Sequence, residues 1–143
     1  GDGSQATYLK NLVRELEMDD CITFTGRVTS DEIRQLLAES KVFVSPALAD
    51  GTSPALLEAL ATGLNIVASD IEANRTVAPA SSNYFFKTQD PTDLARKVIL
   101  ALSHTTDRKI LAINRTVLKR QIAQSAVASK FIRIYRKIAN TDQ

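Results

Sequence analysis

The sequence predicts an α/β domain built on a parallel sheet, and three observations carry that prediction. "VFVSP" (42–46) and "NIVAS" (65–69) are short, apolar and β-branched, as strands buried on both faces should be. The stretch between them, 54–62, reads as a helix closed by Gly63. Strand and helix go on alternating along the chain, which parallel neighbours require because each pair needs a crossover.

Near the N-terminus, Leu9, Leu12, Val13 and Leu16 recur at helical spacing, so residues 4–18 are expected to form an amphipathic helix. "CITFTG" then predicts a short strand ending at Gly26. "TSDEIRQLLAESK" predicts a helix with Ser30 as N-cap, acids in the first turn, and Ile33, Leu36 and Leu37 on its apolar face. After Asp70, "IEANRTVA" predicts a short helix, "NYFF" a strand, and "DPTDLARKVILAL" a helix with Pro91 in its first turn. The remainder is expected to be helical over about 107–139, with Val127, Phe131, Ile134, Tyr135 and Ile138 on one stripe. These elements make one Rossmann-like domain, 1–143, of three α/β/α layers. "GDG" has the form of a phosphate-type turn that follows a strand, so the chain is expected to be a piece of a longer protein.

The composition sets limits on the class. The chain has 143 residues, 44% hydrophobic and 24% charged, which is enough for one domain with a real core. No apolar run approaches the length of a membrane span, and "GDGSQATYLK" has no signal-peptide design. A lone Cys21 cannot staple the fold, which favours a reducing, cytoplasmic setting. The net charge of +2 is unevenly spread: residues 1–106 hold nine Lys or Arg against fourteen Asp or Glu, and 107–143 hold nine against two. That basic tail is either a solvated face or a surface for anionic lipid at the inner membrane face. With few aromatics among the charges, nucleic acid is not an expected partner.

The chemistry concentrates in "ALADGTSPALLEALATGLNIVASD" (47–70). In open α/β sheets ligands sit beyond the carboxyl ends of the strands, and "VFVSP" delivers the chain to that edge. Gly51 permits close backbone approach there, Ser53 is the expected N-cap and Pro54 the first helical residue. The free N–H groups and dipole of such a helix start favour an anion, typically phosphate, with Thr52 and Ser53 adding hydroxyls. The helix is otherwise apolar almost all round, which implies burial and leaves Glu58 as its only charge. A carboxylate in apolar company needs a partner, such as ligand hydroxyls; alternatively Glu58 marks the one solvated strip. Asp50 has its own ordinary alternative as a turn acid.

Taken together, Asp50, Gly51, Glu58, Ala59, Leu60, Ala61, Gly63 and "IVAS" resemble the donor-binding signature of the family 4 glycosyltransferases of GT-B fold. "GDG", "LVRELEM", "ITFTGRV", "KVFVSP", "SDIEANR" and "DPTDLARKV" agree in order and distance with the C-terminal half of that fold, so the resemblance covers nearly the whole chain. It implies retaining transfer of a sugar from a nucleotide-diphosphate donor to an acceptor glycan, lipid or small molecule.

Laid on this sequence, the resemblance makes Asp50 the acid against the transferred sugar and Glu58 the one bonded to the ribose. Backbone N–H groups from Gly51, Thr52, Ser53, Pro54, Ala55 and Leu56 would hold the diphosphate. Gly26, Arg27 and Val28, following Phe24, would border the nucleobase, chiefly through main chain. No metal and no separate cofactor are expected; Asp19 and Asp20 form no ligand set with His104, the only histidine. The acceptor domain of the same enzyme would lie outside these residues, and the chain alone is expected to be inactive. The basic last helix would pack across that domain or touch a membrane.

Two departures stand out. Asp50 is one methylene shorter than the usual Glu, and "SDIEANR" lacks the common Gly-Gly, so Glu72, Asn74 and Arg75 read as helix-surface residues without a role. A non-catalytic nucleotide-sugar-binding module and another phosphate-binding α/β enzyme remain alternative readings. No P-loop lysine supports the second.

Overall fold

A computed structural model describes residues 3–49, 53–78, 83–104, 112–114, 116 and 119. The contacts divide the chain into two compact units, Gly1–Ala38 and Glu39–Gln143.

The first unit contains α1 (Ala6–Glu15) and all but the last residue of α2 (Ser30–Glu39). α1 stops short of residue 18 because Glu17 takes a left-handed conformation, φ 54°. Its N–H then reaches the Arg14 carbonyl at 3.0 Å while that of Met18 reaches Val13 at 3.0 Å, the paired closure of a Schellman motif. Of the predicted stripe only Val13 is buried; Leu9 and Leu16 are exposed.

The cap of α2 is Thr29 rather than Ser30. Thr29 N–H donates to the Glu32 carboxylate at 2.7 Å and Glu32 N–H returns a bond to Thr29 Oγ1 at 3.3 Å, a reciprocal capping box. Ser30 cannot build that box, because the residue three positions on is Ile33. "CITFTG" is not a strand: 21–26 make no ladder among the described residues, and Ile22 and Phe24 are exposed. Apolar alternation marks extended chain, but only a partner makes it a strand. The Lys10 ammonium lies 6.0 Å from the Phe24 ring centroid.

The capping box carries a pH signature. The Thr29 N–H, and then its hydroxyl, hold the Glu32 carboxyl below the usual glutamate range. A depressed folded pKa means stabilisation fully present above the unfolded value and lost as pH falls through the folded one. Circular dichroism melts between about pH 5 and about pH 2 should therefore show stability falling with acid, and Thr29→Ala should flatten the dependence. An unaltered acid limb in that variant would show that the hydroxyl half of the box contributes nothing.

The second unit runs β1 (Val42–Ser45), α3 (Pro54–Thr62), β2 (Asn65–Ser69), α4 (Glu72–Val77), β3 (Tyr84–Phe86), α5 (Pro91–Ser103). The three strands are parallel in the order β1-β2-β3, with Val42 opposite Asn65 and Val67 opposite Tyr84. The predicted α/β fold with its parallel sheet is what the chain adopts. Every residue of β2 is buried, as a central strand covered on both faces must be. On one face Val67 packs with Phe86 and Ala101, joined by Val42, Tyr84, Leu94 and Val98, so α5 covers that side. Ile66 and Ala68 point the other way by strand alternation, and α3 packs on β1 and β2.

Local chemistry sets the helix ends. Asp90 caps α5 by accepting from Asp93 N–H at 2.9 Å, with Pro91 at the first helical position. At the other end Asn65, buried at the start of β2, donates to the carbonyls of Ala101 and His104, both at 2.9 Å. Two of the orphan carbonyls at the end of α5 are thereby satisfied. Of the predicted C-terminal helix, 112–114, 116 and 119 are described and are helical. The stripe from Val127 to Ile138 lies outside the described residues.

Candidate functional site

The parallel register sets Ser45 beside Ala68, so the carboxyl ends of β1 and β2 open on the same edge. From that edge the chain runs through Pro46, Ala47, Leu48 and Ala49 towards α3. Asp50, Gly51 and Thr52 lie outside the described residues.

α3 starts as its sequence dictates. Ser53 has extended backbone (φ −69°, ψ 118°), accepts from Leu56 N–H at 3.4 Å through Oγ, and precedes Pro54. Leu57 N–H already binds the Ser53 carbonyl at 3.1 Å. Two of the predicted diphosphate donors therefore need correction. Pro54 has no N–H to give and can only shape the helix start. The Leu56 N–H is engaged by Ser53, although at long range. The N–H of Ala55, in the first turn, has no intrahelical acceptor by position.

The burial implied by the apolar composition of α3 holds for one face only, and of the two readings of Glu58 the solvated strip is the one the structure has. Leu56, Ala59 and Leu60 are fully buried, while Pro54, Ala55, Glu58, Ala61 and Thr62 are exposed. Small side chains at 55 and 61 escape the core because alanine costs little in water. Glu58 stands on this exposed face, not in apolar company. Gly63 ends the helix in the left-handed region, φ 83°, with its N–H on the Leu60 carbonyl at 3.2 Å.

The nucleobase candidates belong to the first unit. Gly26 is left-handed, φ 65°, a conformation glycine adopts without strain. Arg27 is exposed and Val28 half-buried.

Sequence reasoning missed the polar cluster that follows β2. Asn74 and Ser69 are each 1% exposed. Ser69 Oγ donates to the Ala47 carbonyl at 2.5 Å, and Asn74 Nδ2 donates to Ser69 O at 2.9 Å and to Ser69 Oγ at 3.0 Å. Asn74 is thus no surface residue. Arg75 is one: it forms a bidentate pair with Asp70 and lies 5.1 Å over the Phe85 ring. Its guanidinium holds the Asp70 carboxyl below the usual aspartate range. Exposed as it is, the pair orients the chain after β2 more than it stabilises it. Among the described residues no three His, Cys, Asp or Glu side chains gather as a metal-binding group.

In open parallel sheets, ligands bind in the crevice beyond the carboxyl ends of the strands. Residues 1–104 match the family described as "Glycosyl transferases group 1", and the chain belongs to it. It is 30% identical over 108 residues to the N,N'-diacetylbacillosaminyl-diphospho-undecaprenol alpha-1,3-N-acetylgalactosaminyltransferase of Campylobacter jejuni, covering 75% of this chain and 29% of that protein. It is 23% identical over 110 residues to the phosphatidylinositol N-acetylglucosaminyltransferase gpi3 subunit of Schizosaccharomyces pombe, covering 77% and 24%. The chain thus spans roughly a quarter of the length of these curated relatives. Among solved structures, sucrose-phosphate synthase from Thermosynechococcus elongatus superposes with a TM-score of 0.80 over 99% of this chain and 36% of that one, at 22% identity. The likeness is one of fold: a Rossmann-like α/β domain of the kind found in GT-B glycosyltransferases. No described helix is long and apolar enough to cross a membrane.

Proposed function

We propose that the chain is the C-terminal, donor-binding domain of a family 4, retaining glycosyltransferase that uses a nucleotide-diphosphate sugar. The observation that carries this reading is the exposed, Ser53-capped start of α3 at the carboxyl edge of the sheet, with Glu58 one turn further on the exposed face. In the reaction the bond from the anomeric carbon to the diphosphate breaks, and its electron pair stays on the phosphate oxygen. The acceptor oxygen bonds to the anomeric carbon and gives up its proton to the departing diphosphate. The transition state is oxocarbenium-like, so the largest service a protein can render is a fixed positive potential at the departing diphosphate. Ala55 N–H and the α3 dipole supply it, with Gly51 and Thr52 in the same stretch of sequence.

Glu58 orients the ribose, Asp50 the sugar, and Gly26 to Val28 the base. No metal enters this reading. The acceptor, a glycan, lipid or small molecule, is held by the acceptor-binding half of the whole enzyme on the cytoplasmic side. The basic tail packs there or meets anionic lipid. Alone, this chain binds donor without turnover.

A thermal-shift panel of inorganic pyrophosphate, nucleoside diphosphates, their sugar conjugates and NAD tests the proposal. Ligand at 100 times its Kd stabilises by about 2.7 kcal/mol, so one base family should raise Tm by several degrees or more. Stabilisation by NAD alone would instead mark a different phosphate-binding enzyme. Transfer by the isolated chain would refute its inactivity.

A further inference from the structure

We infer that Ser69 and Asn74 are positioning residues that hold Ala47, at the described start of the loop leading into α3, in place at the edge where the donor is proposed to bind. The inference rests on the donor-site reading above. Pro46 to Ala49 form the described start of the loop that leads from β1 towards α3, and Ser69 lies at the end of the neighbouring strand β2. The Ala47 carbonyl, the acceptor nearest the head of that loop, takes its bond from the buried Ser69 hydroxyl. A serine hydroxyl has one proton, and spending it on Ala47 leaves Ser69 Oγ free to accept. Asn74 fills that need: one amide nitrogen serves both Ser69 O and Ser69 Oγ, which fixes the hydroxyl rotor with its proton towards Ala47.

α4 supplies Asn74 at this point because its first turn follows β2 directly, with Arg75 N–H on the Ile71 carbonyl and Ala78 N–H on that of Asn74. Both side chains are almost wholly withdrawn from water, so the network has no solvent to replace a lost bond. The connection passes from α4 through β2 to the β1–α3 loop, and it ties three separate stretches of chain at the edge where donor is proposed to bind. A loop free to leave its competent shape loses apparent affinity in proportion to the population lost.

The test compares Ser69→Ala and Asn74→Ala with Asn65→Ala. Asn65 is equally buried and also donates twice, but at the opposite end of β2. Hydrogen exchange reads the loop and calorimetry with UDP, GDP and ADP reads the site. In Ser69→Ala and Asn74→Ala the amides of 47–49 and 55–57 should exchange roughly tenfold faster, the effect of losing about one buried hydrogen bond. Affinity for whichever diphosphate the unaltered chain binds should fall by about fivefold or more. Asn65→Ala should lower Tm at least as much and leave affinity within about twofold. Unchanged exchange in Ser69→Ala, or an equal loss of affinity in Asn65→Ala, overturns the proposal by showing a role in stability alone. If the unaltered chain binds none of the three diphosphates, the donor-site reading fails instead, and the exchange data report the loop by themselves. Ser69→Ala removes one oxygen only, so it decides the question should Asn74→Ala fail to fold.

Discussion

Leu60→Ala should cost the chain about 3 kcal/mol of stability, within the roughly 2–5 kcal/mol spanned by buried leucine truncations. Leu60 is fully buried on α3, between Leu56 and the helix end at Gly63. Its neighbours cannot collapse freely into the void, because α3 is anchored by Ser53 at one end and by a left-handed glycine at the other. The loss is the transfer term for the missing carbons plus a cavity term that such anchoring keeps large. Urea titration followed by circular dichroism measures it. A midpoint shift equivalent to less than about 1 kcal/mol would mean that α3 is not packed on the sheet as described. Ala61→Gly, on the exposed face of the same helix, should cost only about 1 kcal/mol, which separates packing from helix propensity.

Glu58→Ala should weaken nucleoside-diphosphate binding by roughly 10- to 100-fold, the range expected for loss of hydrogen bonds to a charged group at about 1.5–3 kcal/mol. Because Glu58 is exposed on a helix held by Leu56, Ala59 and Leu60, the substitution should leave Tm nearly unchanged. That separation is what makes it informative. Glu58→Gln keeps the shape and loses the charge, so it should recover part of the affinity. Inorganic pyrophosphate carries no ribose, and its binding should be indifferent to both changes. Equal weakening for pyrophosphate and nucleoside diphosphate would remove Glu58 from the ribose and make it a general electrostatic influence on the helix start.

Much of the second unit was legible because its signals are local. Ser53-Pro54 and Gly63 punctuate α3, and Asp90-Pro91 does the same for α5; each acts on the backbone within one turn. Other boundaries misled for equally local reasons. Glu17 occupies a position where glycine or asparagine usually advertises the end of a helix. Thr29 outcompetes Ser30 only because Glu32, and not Ile33, can answer it. The failures of a different kind are tertiary. Residues 21–26 have strand composition but no ladder among the described residues, and Asn74 has helix-surface composition but is buried and bonded to Ser69. No window of neighbouring residues contains that information. At the candidate site, the exposure of Glu58 depended on which side of α3 meets the sheet, and alanine at 55 and 61 blurs that choice in the sequence.

The sheet topology also dictates how the chain must come together in time. Every ladder bond of β1 with β2 and of β2 with β3 joins residues separated by an intervening helix, with no hairpin to bring any pair close early. Loop-closure entropy has to be met before the first strand contact returns anything, so α3 and α5 can gain helical turns while β2 still waits for neighbours. During that interval Ile66 and Val67 are bare to water. On a ribosome this stretch would emerge before β3 and α5 exist to shield it, making it the point where a chaperone, or another nascent copy, has its best opportunity to intervene.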